Sequence, residues 1–126
     1  MLGQQSLVLR VGNLETRRVV IDVRDCVQAY YLLMMEDQLK NVVYNVCGTN
    51  VHKMSYFTDL LIKESGLKGV VKKVYPPFYR PVDIQIQVGY ICRLTTDVEW
   101  KPEISIEQTM KDLLSYWVEK LSREGE

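Results

Sequence analysis

The residues of this 126-residue chain best suited to holding an anion are arginines beside turns. Arg17-Arg18 follow closely on Gly12-Asn13, and Arg80 lies in the run Phe78-Tyr79-Arg80-Pro81, with Asp83 just beyond. A guanidinium group presents a planar fork of donors that matches the oxygens of a diphosphate. Asp83 could accept from ribose hydroxyls, and Tyr79 could stack or supply a hydroxyl. From spacing alone, surface ion pairs with nearby carboxylates are the plainer reading of both arginines.

Other combinations are weaker. His52 is the only histidine, which excludes a multi-histidine metal site. A Cys47–His52 dyad is conceivable, but its spacing does not favour it, and His52 suits a surface position or a helix start. Tyr30-Tyr31 fall within a helical apolar stripe and read as core. No serine stands in a nucleophile-elbow pattern, and no acid pair stands apart from the solvated charge. Tyr116 and Lys120 have Tyr-x-x-x-Lys spacing inside an amphipathic helix, which reads as chance. Cys26, Cys47 and Cys92 are odd in number and form no C-x-x-C pair, so neither a disulfide framework nor a structural zinc site is expected. Reduced, mostly buried thiols are expected instead. No residue of this chain is expected to be catalytic.

The elements that must position these groups follow from periodicity. Residues 6–11 are rich in Val and Leu and predict a strand closed by Gly12-Asn13. Residues 18–21 form a second, β-branched run. Asp22 stands where a carboxylate can cap a helix. Behind it Val23, Cys26, Val27, Tyr30, Tyr31 and Met34 recur at spacings of three and four, predicting one apolar helix face. Residues 42–46 predict a strand, ended by a turn at Cys47-Gly48-Thr49-Asn50. Met54, Phe57, Leu60 and Leu61 share the face of a second helix, with Gly66 as its stop and no clear N-cap. Residues 70–74 predict a strand ended by Pro76-Pro77. Residues 78–83 should form a surface loop and residues 84–88 a short extended run. Ser105 and Gln108 make an S-x-x-Q capping box. Ile106, Met110, Leu113, Leu114, Trp117, Val118 and Leu121 continue it as a stripe. Glu107 at the start and Lys120 and Arg123 at the end suit the helix dipole.

Strands alternating with helices predict an α/β layer structure. The chain has no internal repeat or dividing linker, so residues 1–126 are expected to form one domain. No strand leads into a glycine-rich phosphate turn, because Gly66 and Gly69 are too sparse to make one. Sixteen basic residues balance sixteen acidic ones, against a broad nucleic-acid surface. No apolar run approaches the roughly 20 residues that span a membrane, and the first residues lack the features of a signal peptide. A cytoplasmic protein is expected.

Four pieces, in order, carry a resemblance. Val11-Gly12-Asn13-Leu14-Glu15-Thr16-Arg17-Arg18, followed by Asp22-Val23-Arg24-Asp25, resembles the GNL(E/D)AxRD…DVRDxVxAY segment of GDP-mannose 4,6-dehydratases and GDP-4-keto-6-deoxy-D-mannose reductases. Tyr44-Asn45-Val46-Cys47 resembles their YNV(C/G) strand, Arg80-Pro81-Val82-Asp83 their RPxE loop, and Trp100-Lys101-Pro102-Glu103-Ile104-Ser105 their WKPxxS signature. The resemblance spans roughly residues 7–121. It implies the small α/β substrate-binding domain of an extended short-chain dehydrogenase/reductase of the NAD-dependent epimerase/dehydratase family. It also implies roles: Arg18 and Arg80 hold the nucleotide diphosphate, and Asp83, one methylene shorter than the usual glutamate, holds the ribose.

The departures are as informative. Val19 replaces the usual Asp, Tyr90 replaces the Asp of a GD(P/T/S) turn, and Glu99 replaces the Gly before Trp100. The family's glycine-rich Rossmann half and catalytic Tyr-x-x-x-Lys centre have no counterpart here. The expectation is a nucleotide-sugar-binding part, with a GDP-sugar the favoured ligand, inactive alone and binding no cofactor itself. NAD(P) would serve a complete lyase or oxidoreductase. A complementary Rossmann-domain chain or a second copy would be its protein partner. The alternative is a non-catalytic nucleotide-sugar-binding or protein-interaction module.

Overall fold

The computed structural model describes residues 7–125. In chain order it contains strands β1 (Val8–Val11) and β2 (Arg17–Val19), helix α1 (Val23–Met35), strand β3 (Val51–Lys53), helix α2 (Met54–Ser65) and strand β4 (Val71–Val74). A single 3-10 turn (Pro76–Phe78), strand β5 (Ile86–Gln87), helix α3 (Cys92–Val98) and helix α4 (Ile106–Glu124) complete it. The strands form two small sheets. β1 and β4 pair in parallel, Val8 opposite Val71 and Val11 opposite Val74. β2 is the middle strand of the other sheet, antiparallel to β3 and parallel to β5. The architecture is the expected small α/β arrangement.

The core gathers Ala29 of α1, Leu94 of α3 and Trp100, with Ile21, Leu33, Tyr44 and Val46 packed around them. α2 packs against α4, where Phe57 and Met110 are buried.

The Asp22-Val23-Arg24-Asp25 segment ties α1 to α4. The Asp22 carboxylate caps α1 by accepting from the Arg24 amide at 2.9 Å. It also accepts from the Arg24 guanidinium at 2.8 Å and the Thr109 hydroxyl of α4 at 2.8 Å. Arg24 reaches on to Asp112 at 2.7 Å. Buried Asp25 accepts from the amides of Glu103 and Ile104 at 3.1 and 3.0 Å, and its carbonyl accepts from the Trp100 indole at 3.0 Å. Two pieces of the family pattern, some 80 positions apart, thus form one hydrogen-bonded clamp.

Several expectations need correction. Residues 42–46 form no strand. Tyr44 and Val46 still pack on the core, and the segment is fastened by side chains: the Tyr44 hydroxyl and the Asn41 amide both donate to Asp97, at 2.5 and 3.0 Å. Tyr30 and Tyr31 are exposed rather than core, as are Val23, Val27 and Met34. α1 packs through the neighbouring stripe of Asp25, Ala29, Leu32 and Leu33, where small Ala29 permits close approach. Both stripes carry several apolar residues, so periodicity finds the helix without telling which face turns inward. The capping box is half formed. Ser105 accepts from the Gln108 amide at 3.2 Å, but the Gln108 side chain turns to Asp112 at 2.6 Å.

Candidate nucleotide site

β2 alternates its side chains across the sheet, leaving Arg17 exposed and Arg18 half-buried. Parallel pairing with β5 begins where the Arg17 amide donates to the Gln85 carbonyl at 2.8 Å. That pairing lays residues 83–84 beside Arg18. On the other side, Pro76-Pro77 end β4 and the 3-10 turn reverses the chain, with the Phe78 amide donating to the Tyr75 carbonyl at 2.9 Å. Gly12 lets this turn approach, since a Cβ there would lie 3.1 Å from the Phe78 carbonyl oxygen.

The result is a shallow cleft of about 220 Å³ lined by Asn13, Thr16, Arg18, Met54, Phe78, Arg80 and Asp83. All three sequence-selected residues, Arg18, Arg80 and Asp83, are in it. Arg18 reaches it from a strand rather than a loop. Tyr79 is exposed and does not line it. Sequence reasoning passed over Asn13, Thr16, Met54 and Phe78. Asn13 and Thr16 lie inside the recognised segment, and a turn between two strands was the available signal.

The two arginines are not equivalent. Arg18 donates through Nη1 to the carbonyls of Arg17 and Ile84, at 2.9 and 2.6 Å, and through Nη2 to Asp83 at 3.0 Å. Both partners of that ion pair are about 20% exposed, so it is partly shielded from water. The Asp83 Oδ2 atom is left without a hydrogen bond among the described residues, available to a further donor. The Arg80 side chain is exposed and makes no hydrogen bond or ion pair among the described residues. Its whole fork is open.

The other candidates are structurally engaged. Half-buried His52 lies in β3, opposite Arg18 in the ladder, and stacks on Tyr56 of α2 with ring centroids 4.1 Å apart. Tyr56 donates to Glu107 at 3.0 Å, which raises the phenol's pKa, while the Glu107 carboxyl is lowered first by its own backbone amide and then by this hydroxyl. Cys26 and Cys47 are half-buried but Cys92 is exposed, so the thiols are less buried than expected. Burial pushes the Cys47 thiol up. Lys120 sits over the Trp117 ring, 4.9 Å from its centroid. Among the described residues no group of His, Cys, Asp or Glu could hold a metal ion, and no helix is long and apolar enough to cross a membrane.

Residues 1–113 match the family described as GDP-mannose 4,6 dehydratase. The chain belongs to that family. It is 30% identical over 122 residues to the GDP-6-deoxy-D-mannose reductase of Pseudomonas aeruginosa, covering 97% of this chain and 40% of that protein. Among solved structures, RMD from Pseudomonas aeruginosa complexed with NADPH superposes with a TM-score of 0.77 at 28% identity, over 92% of this chain and 37% of that one. The UDP-glucose 4-epimerase of Thermotoga maritima, solved with UDP-glucose, shares the fold with a TM-score of 0.77 at 22% identity, over 92% of this chain and 36% of its own. The chain therefore spans about two fifths of the length of these relatives.

Against the family pattern, the three departures have distinct places. Val19 and Tyr90 line one cavity of about 590 Å³ with Val51, Val88 and Ile91, so an apolar wall stands where the pattern has two acids. Glu99 ends α3 with φ of 54°, the left-handed conformation that suits the usual glycine. Neither Gly66 nor Gly69 opens a helix: Gly66 ends α2 and Gly69 precedes β4, both with positive φ.

Proposed function

We propose that this chain is a single nucleotide-sugar-binding domain, the part of a GDP-sugar dehydratase, reductase or epimerase that holds the nucleotide. The observation that carries the reading is one cleft. Arg18 and Asp83, 65 positions apart, meet there and share it with the open guanidinium of Arg80. Arg80 takes diphosphate oxygens through its fork. Arg18 adds positive charge and holds Asp83 in place, and Asp83 accepts a ribose hydroxyl through Oδ2. Family membership and the names of the relatives favour a GDP-sugar.

A volume of about 220 Å³ is below the ~300–1,000 Å³ of typical ligand pockets, so this chain encloses only part of such a ligand and binds it weakly. A complementary Rossmann-domain chain or a second copy completes the wall. Hydride chemistry at the sugar, with NAD(P), belongs to a complete enzyme. Alone, the chain turns over no GDP-mannose. A calorimetric screen of GDP-, UDP-, dTDP- and CDP-sugars tests this reading. Preference for the GDP-sugars supports it, and failure to bind any of the four refutes it.

A further inference from the structure

Thr16 stands out among the lining residues. It is only 2% exposed, yet no hydrogen bond among the described residues uses its hydroxyl. Buried hydroxyls nearly always have partners. No wholly enclosed side-chain nitrogen or oxygen among the described residues lacks a partner. Thr16 also lines the cleft that holds Arg18, Arg80 and Asp83. Its backbone is fixed. The Thr16 carbonyl accepts from the Met54 amide at 2.9 Å, and the Leu14 carbonyl accepts from the Ser55 amide at 3.0 Å, so residues 14–16 are tied to the first turn of α2. A β-branched side chain on a pinned backbone has few rotamers. Thr16 is thus held in a cleft that Arg18 and Arg80 also line, its hydroxyl without a hydrogen bond among the described residues.

We propose that Thr16 is a further binding residue of this cleft, donating its hydroxyl hydrogen to an oxygen of the nucleotide diphosphate. The assignment rests on the nucleotide reading above. A donor in a cleft that two guanidinium groups also line suits an anionic acceptor, whereas the ribose hydroxyls are served by the Asp83 carboxylate. The same argument gives an opposite signature in the free protein. A nearly buried hydroxyl without a partner is a cost that a methyl group of the same shape removes.

The test is calorimetry with GDP on wild type, Thr16→Val, Thr16→Ser and Arg80→Ala, with thermal midpoints of the free proteins. Thr16→Val is expected to bind GDP about 10-fold more weakly while its midpoint stays level or rises, and Thr16→Ser to stay within about 3-fold of wild type. If valine disturbs the fold, Thr16→Ala reads the same loss of hydroxyl. A folded Thr16→Val or Thr16→Ala that binds GDP within about 2-fold of wild type overturns the proposal. Wild type that binds no GDP overturns the nucleotide reading and this one with it. Wild type that binds, weakened by Arg80→Ala but indifferent to Thr16, overturns the Thr16 assignment alone.

Discussion

Asp22, four residues beyond Arg18, belongs to the recognised motifs but serves the fold. It is buried, it caps α1, and the Arg24 guanidinium beside it holds its carboxyl well below the usual carboxylate range. A depressed carboxylate stabilises the folded state fully above its ordinary value of about 3.9, and that contribution is lost as pH falls towards the folded value. Asp97 and Asp112 are lowered too, each chiefly by a side-chain hydrogen bond, from Tyr44 and Arg24 respectively. Wild type should therefore lose stability steadily below about pH 4. Asp22→Asn should be less stable by about 1.5–3 kcal/mol at pH 7 and fall less steeply between about pH 4 and pH 2, as read by urea denaturation across pH. Equal stability and an unchanged acid slope would show that Asp22 does not hold the clamp. The motif was legible in the sequence, but its division of labour was not. Nothing in the letters distinguishes Arg18, whose Nη atoms are engaged with protein oxygens, from Arg80, whose fork is open.

Among the elements, those with strong local signals were readable. Asp22 and Ser105 cap α1 and α4, and Gly66 ends α2 with φ of 66°. Ser105→Ala should cost about 1 kcal/mol in chemical denaturation, since the amide that Gln108 directs at Ser105 loses its acceptor. No measurable loss would mean that water replaces the cap fully. α2 lacked a legible cap because its amides find the carbonyls of Leu14 and Thr16, a long-range contact that no local pattern encodes. β3, with three residues, was missed because it is too short for alternation to register. α3, with seven, was missed because its sequence, Cys92-Arg93-Leu94-Thr95-Thr96-Asp97-Val98, buries only Leu94. Residues 42–46 misled in the other direction: a β-branched run can pack on a core without pairing its backbone.

At the scale of the whole molecule, the surface is too large for the mass. A chain of 14.7 kDa exposes 10036 Å², against about 6,900 Å² for a monomer of that size. Part of the exposed apolar surface is on α1, where Val23 is 72% and Met34 81% exposed. Such a face favours association, so light scattering should report a dimer or larger species, and Val27→Lys with Met34→Lys should shift it towards monomer. A clean monomer at high concentration would contradict this. The α/β class was legible because strands and helices alternate in the sequence. The inward face of α1 was not, because it depends on what else the helix packs against. The cleft is the point where these scales meet, for it joins residues from the first turn, the middle strand and the loop after the 3-10 turn. GDP calorimetry on wild type, Arg80→Ala and Arg80→Lys tests its assignment most directly. Arg80→Ala should bind GDP about 10- to 150-fold more weakly at unchanged stability, and Arg80→Lys should also lose affinity because an ammonium cannot reproduce the fork. GDP affinity unchanged in both variants would contradict the nucleotide site.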